Sequence, residues 1–222
     1  MSPIPILLDL YGTLVRPGSG AWVGRFAELL GVTPDEVWDA GKPFFQARML
    51  GHMRTPEETV DAMLAQLGRA ADADTLRALA EARWSFFHTI TLYDDTLPAL
   101  DKLRARGHPL AMVSNCSAEV WPVFDRLALR ERFDALALSC DVGVAKPDPG
   151  IYLYAAEHLR VATETCVFVG DGENDEHAGA KALGMTTVWI RRPDARPREV
   201  QADYTVASLL ELMALPSLRA GG

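Results

Sequence analysis

From residue 95 onward the chain alternates between two hydrophobic periods, and few folds accommodate that alternation. Helical spacing over 97–105, closed by Gly107, gives way to an apolar run at 110–114. A helix near 120–129 carries Pro122 in its first turn, and a strand follows at 135–139. Asp148-Pro149 opens a helix through 159; 166–169 reads as a strand, 174–183 as a helix closed by Gly184, and 186–190 as a strand. Residues 204–206 make a short last strand. Strands separated by helices predict an α/β fold: a doubly wound, parallel, Rossmann-like sheet with right-handed crossovers. The first strand lies far upstream, in the apolar run 4–10 that ends in Asp9-Leu10-Tyr11-Gly12-Thr13. Pro3 and Pro5 lack the N–H a ladder needs, so pairing is expected to start after them.

Residues 20–90 break this rhythm with helical patterning throughout. Trp22, Phe26, Leu29 and Leu30 share one helical face. Thr33-Pro34-Asp35-Glu36 and Thr55-Pro56-Glu57-Glu58 each place Thr at an N-cap, Pro at the first helical position and Glu at the third, which is a capping box. Val60, Met63, Leu64 and Leu67 form a stripe that Gly68 ends, and Leu76, Leu79, Ala80, Trp84 and Phe87 form another. The pattern predicts a bundle of about four helices. The chain then divides into a core of residues 1–16 and 91–222 and a helical insertion of residues 17–90. Within the insertion, Arg48, His52 and Arg54 read as solvated helix surface, with recognition of a substrate anion as the sharper option. Trp22, Trp38, Phe44 and Phe45 read as core rather than pocket lining. The Arg/Pro-rich stretch 191–198 reads as a surface loop, Leu209, Leu210 and Leu212 as a last helix packed on the sheet, and the Gly-Gly end as frayed.

Charge and cysteine usage narrow the function. A formal net charge of −8 over 222 residues argues against nucleic acid or an anionic membrane as the main partner. An acidic protein still binds a small anionic molecule if a metal ion and local N–H groups supply positive charge. No run of about 18 apolar residues is present, and the start of the chain carries no charged leader. Three widely spaced cysteines without a CxxC pair fit reduced, buried thiols. A cytoplasmic protein, monomer or homodimer, is the expectation, and a small anionic molecule stays open to it as partner.

Ligands of such sheets bind beyond the carboxyl ends of the strands. Four of those ends carry polar clusters: Asp9 through Thr13, Ser114-Asn115, Lys146-Pro147, and Gly170-Asp171-Gly172-Glu173-Asn174-Asp175-Glu176. Alone, each is ordinary, since an Asp after a strand is often a turn former. Together, in this order, they resemble the haloacid dehalogenase-like (HAD) hydrolase superfamily. Asp9-Leu10-Tyr11-Gly12-Thr13-Leu14 is similar to its first motif, Val113-Ser114-Asn115 to the second, Lys146-Pro147-Asp148-Pro149 to the third, and Gly170-Asp171 through Gly179-Ala180 to the fourth. The resemblance covers residues 4–15 and about 92–190, and the insertion sits where that superfamily places an α-helical cap.

The resemblance implies that Asp9 is a nucleophile forming a covalent intermediate. It implies Mg²⁺ held by Asp9, Asp171 and the Tyr11 backbone carbonyl, with Glu176 or its neighbour Asp175 as a further acidic group. Thr13 and Ser114 would offer hydroxyls to phosphate oxygens, with bracing of the loop as the alternative for Thr13; Asn115 would offer its backbone N–H or its amide, and Lys146 would be the fixed cation that offsets Asp9 and the transferred group. Two positions pull apart. Most phosphatases of the superfamily carry a second Asp two residues after the nucleophile, where this chain has Tyr11. A phenol, with a reference pKa of about 10, is a poor general base near neutrality. The 2-haloacid dehalogenase branch has Tyr there, but it needs no metal and has lost the Gly-Asp that this chain keeps. Mg²⁺-dependent phosphate ester hydrolysis is the reading preferred. C–X bond hydrolysis is the alternative, and a catalytically weak ligand-binding protein on the same fold is the third.

Overall fold

The computed structural model describes residues 3–193 and 198–218. The expected frayed Gly-Gly end and part of the expected 191–198 loop lie outside these residues. Eight strands are formed by β1 (Ile6–Leu8), β2 (Val15–Arg16), β3 (Thr91–Leu92), β4 (Leu110–Ser114), β5 (Ala135–Leu138), β6 (Val167–Gly170), β7 (Thr186–Ile190) and β8 (Tyr204–Val206). Helices α1 (Trp22–Leu30), α2 (Pro34–Gly41), α3 (Phe45–Met49), α4 (Pro56–Leu67) and α5 (Ala73–His88) precede β3. Helices α6 (Thr96–Ala105), α7 (Trp121–Arg126), α8 (Ser139–Val142), α9 (Pro149–Leu159) and α10 (Glu176–Ala182) follow it.

Six strands make one parallel sheet in the order β5-β4-β1-β6-β7-β8. This is the doubly wound arrangement the alternation predicts. From β1 the chain winds outward through β4 and β5, then returns to lay β6 on the other side of β1. The strand order therefore reverses between β1 and β6, and a crevice opens there at the carboxyl ends. Both faces of the sheet are covered. Ile6 and Leu8 join one apolar cluster with α6, α7 and the C-terminal segment, while Leu7 joins another with α9 and α10. Strands buried on both sides read as continuous apolar runs, which is why they stand out in the sequence.

Helices α1, α2, α4 and α5 enclose a separate cluster around Phe26, Val37, Met63 and Leu79. Both capping boxes form: the hydroxyls of Thr33 and Thr55 accept from the Glu36 and Glu58 backbones, and the two carboxylates reach back to the caps. The insertion thus holds five α-helices, one being the five-residue α3 that the stripes do not reveal. It joins the core through β2 and β3, a two-stranded antiparallel ribbon too short to show a period.

Three boundaries differ from expectation. The helix expected over 120–129 ends at Arg126, ahead of Ala128 with its left-handed φ of 51°. The helix expected from 174 starts at Glu176, because Asn174 and Asp175 have φ of 55° and 52° and belong to a 3-10 turn. The tail is a 3-10 segment, Leu209–Ala214, not an α-helix. Its Leu209 and Leu212 pack into the core while Leu210 is exposed. No helix among the described residues is long and apolar enough to cross a membrane.

Candidate active site

Asp9 follows the last residue of the central strand, and its N–H extends the ladder to the Val169 carbonyl at 2.9 Å. This pairing sets the Asp9 carboxylate beside the tip of β6, where Asp171 emerges. One oxygen from each of Asp9, Asp171 and Glu176 lies within 4.8 Å of the others, and all three residues are buried. Two close approaches explain the glycines between them. Gly12 has a φ of 71°, and a Cβ there would strike the Asp171 carboxylate; a Cβ on Gly170 would strike the carboxylate of Glu176.

Lys146 supplies the positive charge. Its ammonium donates to Asp9 and, at 2.6 Å, to Glu176, with only 2% of its side chain exposed. Asn115 fixes the backbone that carries it. The Asn115 amide accepts from the Lys146 N–H at 2.7 Å and donates to the Lys146 carbonyl at 2.9 Å. Glu176 in turn accepts from the Gly172 N–H at 2.8 Å. Burial opposes the Lys146 charge, but the Asp9 and Glu176 carboxylates outweigh it and hold the ammonium above its usual pKa. Burial pushes Glu176 up, and it pushes Asp171 up to about 6 with help from the Asp9 charge.

The other expected residues divide. Tyr11 and Asn115 line the same hollow as Asp9, Lys146, Asp171 and Glu176. Of the two groups Asn115 was expected to offer phosphate, the side-chain amide is occupied by the Lys146 backbone, which leaves its backbone N–H. Thr13 and Ser114 are fully buried, do not line the hollow, and their hydroxyls have no hydrogen-bond partner among the described residues. Asp175 is exposed and stays outside the carboxylate cluster, since its left-handed backbone turns it away before α10 starts. The acidic neighbour is Glu176.

The sequence did not flag three contributors. Glu173 and Asn174 line the hollow. Arg198, expected on a surface loop, reaches back to Asp171 at 3.3 Å and Glu173 at 2.8 Å. Nothing in an Arg/Pro-rich stretch marks which arginine returns to the strand tips. Burial, and then the proximity of Cys116 and Glu119, raises the Tyr11 phenol well above its usual pKa, which closes general-base chemistry to it.

Charge decides whether a cation fits. Among the described residues, three buried carboxylates share one buried ammonium, and Asp171 pairs besides with the partly exposed Arg198. Clustered carboxylates repel unless a cation intervenes, and an all-oxygen set suits a hard divalent ion. Such a cluster can therefore hold Mg²⁺ and leave one Asp9 oxygen to react.

The comparisons agree with this geometry. The haloacid dehalogenase-like hydrolase family matches residues 6–183. A glyceraldehyde 3-phosphate phosphatase from Methanopyrus kandleri is 36% identical over 115 residues, 51% of this chain and 49% of that protein. The chain thus aligns with about half the length of that relative. An (S)-2-haloacid dehalogenase from Pseudomonas putida is 29% identical over 93% of both chains. The crystal structure of a HAD phosphatase from Thermococcus onnurineus superposes with a TM-score of 0.66 and 26% identity, over 95% of this chain and 96% of that one. Family match, sheet order and strand-tip cluster point the same way: this chain belongs to the haloacid dehalogenase-like hydrolases.

Proposed function

We propose that this hydrolase cleaves phosphate monoesters of small metabolites, with Asp9 as nucleophile and Mg²⁺ as cofactor. The carrying observation is the trio of buried carboxylates served by a single buried ammonium. A displacement without metal has no use for Asp171 packed against the nucleophile, where it only adds repulsion.

In this reading an Asp9 oxygen attacks phosphorus, the ester P–O bond breaks, and the alcohol oxygen departs with the electron pair. The resulting acyl phosphate is hydrolysed by water, releasing inorganic phosphate and restoring the carboxylate. Lys146 offsets charge on Asp9 and on the transferred group throughout. Glu176 holds the ammonium in place, and Asn115 fixes its backbone. Asp9, Asp171 and the Tyr11 carbonyl would hold Mg²⁺, which supplies positive charge against the phosphoryl oxygens when bound. Tyr11 stands where most phosphatases of the superfamily carry the acid that protonates the departing oxygen, so acidic leaving groups are favoured. The insertion of residues 17–90 acts as a cap over Asp9 that excludes water and shapes selectivity.

A second reading, hydrolysis of a carbon–halogen bond, rests on Tyr11, since halide leaves without a proton. Both are tested by one panel of aryl phosphates, alkyl phosphates and 2-chloropropionate, run with Mg²⁺ and with EDTA. Mg²⁺-dependent phosphate release, abolished in Asp9→Asn, is expected. Chloride release that persists in EDTA replaces the first reading with the second.

A further inference from the structure

The hollow around Asp9 measures about 40 Å³, little more than the roughly 30 Å³ share of one water molecule. It has no space for the organic part of a substrate. A second cavity of about 310 Å³ adjoins it, sharing Tyr11, Asn115, Glu173 and Asn174 as common wall. Its far side comes from the insertion, where Trp22, Trp38, Phe45 and Phe86 are joined by Arg48 and Arg83.

The two arginines set the character of this cavity. Arg83 is 4% exposed and sits 5.1 Å from the Trp22 ring and 5.2 Å from the Phe87 ring. Its one anionic partner among the described residues, Glu119, is 3.6 Å away, beyond hydrogen-bond reach. The Arg83 Nε and both Glu119 oxygens are buried without a hydrogen-bond partner. Arg48 has no ion pair among the described residues, and its Nε is likewise buried and unbonded. Burial and the neighbouring Arg83 pull Arg48 down to a pKa of about 10. Buried polar groups are normally satisfied, and a buried charge without a partner is costly. Arg83 is set against Glu119, and Glu173 on the common wall is engaged by Arg198, so Arg48 is left as a guanidinium without an ion pair among the described residues.

We infer that this cavity receives the leaving-group half of the substrate, a flat apolar body bearing one carboxylate, and that Arg48 binds that carboxylate. A guanidinium matches a carboxylate with two parallel N–H donors, and the surrounding rings accept an aryl face. One unpaired guanidinium suits one carboxylate better than a second phosphate. As a statement about substrate the inference rests on the phosphatase reading, but the pocket is testable without turnover.

Calorimetry with 3-phenylpropanoate and its uncharged amide provides the direct test. The wild-type protein is expected to bind the acid at least tenfold more tightly than the amide. In Arg48→Met the two affinities converge, while Arg48→Lys keeps part of the preference. In turnover, the kcat/KM ratio of 4-carboxyphenyl phosphate to 4-carbamoylphenyl phosphate falls at least tenfold in Arg48→Met. Equal binding of acid and amide by the wild type, or a preference that survives Arg48→Met, overturns the assignment. Acid-selective binding without turnover of either ester supports the pocket and removes the phosphatase reading instead.

Discussion

Lys146→Met is the perturbation that interrogates the site most directly. The ammonium is enclosed, with 2% of the side chain exposed, and its two partners, Asp9 and Glu176, are 6% and 1% exposed at theirs. Water cannot replace the lost partner. Removing one member of a buried ion pair costs about 3–5 kcal/mol. For a chain of this size, at about 2–4 °C per kcal/mol, that lowers Tm by roughly 6–20 °C. The loss depends on pH in a fixed direction. Burial raises the pKa values of Glu176 and Asp171 in the folded state, so acid protonates them there and removes the uncompensated charge. The deficit is therefore largest at pH 8 and shrinks toward pH 5. Urea unfolding in EDTA at both pH values measures it, and Glu176→Gln in the Lys146→Met background should recover part of the loss as a non-additive pair. In Mg²⁺ the variant's kcat should fall about 10²–10³-fold, the scale for losing one charge-stabilising donor. A destabilisation below about 1 kcal/mol at pH 8, or one that does not change with pH, refutes the reasoning.

Gly12→Ala forces a left-handed residue, at about 1–2 kcal/mol, and drives a methyl into Asp171, so the Mg²⁺ concentration for half-maximal activity should rise tenfold or more. An unchanged Mg²⁺ requirement in a folded variant would contradict the close approach. Asp171, with a folded pKa of about 6 against about 3.9 unfolded, contributes to stability of the metal-free protein below pH 4 and loses that contribution as pH rises through 6. Mg²⁺ binds the ionised form, so its Tm increment should be larger at pH 8 than at pH 5, and equal increments would count against Asp171 as a ligand. Because the buried Tyr11 phenol is a weaker acid than the carboxylic acid it stands in for, 4-nitrophenyl phosphate should turn over about 10²–10⁴-fold faster than an alkyl phosphate, the typical worth of a general acid. A flat leaving-group series would show that some other group donates the proton.

The sheet was readable because its strands are buried on both faces and punctuated by glycine, and all six main-sheet strands lie within two residues of their expected bounds. The carboxylate cluster was readable through order, since residues at successive strand tips converge once the strands are parallel. The ribbon β2–β3 was not, because two residues display no period. Asp175 and Glu176 could not be separated in sequence, as the distinction depends on two left-handed residues that delay α10 by a fraction of a turn. Arg48 was read as solvated surface, yet it is half-buried and its Nε is enclosed. Arg83 did carry a signal: it occupies the stripe of Leu76, Leu79, Ala80, Trp84 and Phe87, where a charge at a core-facing position calls for a partner. Trp22 and Phe44 do pack with the insertion's own cluster, while Trp38 and Phe45 stay exposed beside the cavity.

The ribbon has a consequence for how this enzyme diversifies. Val15 pairs with Leu92 and Arg16 with Thr91, and the Leu14 carbonyl accepts from both the Tyr93 N–H and the Thr96 hydroxyl. The outgoing and returning strands are thus stitched together at the root of the detour. Whatever is threaded between them can lengthen, shorten or be exchanged without displacing the residues upstream of the seam. The strand tips of the sheet and the helices threaded beyond the seam are then free to drift on separate schedules.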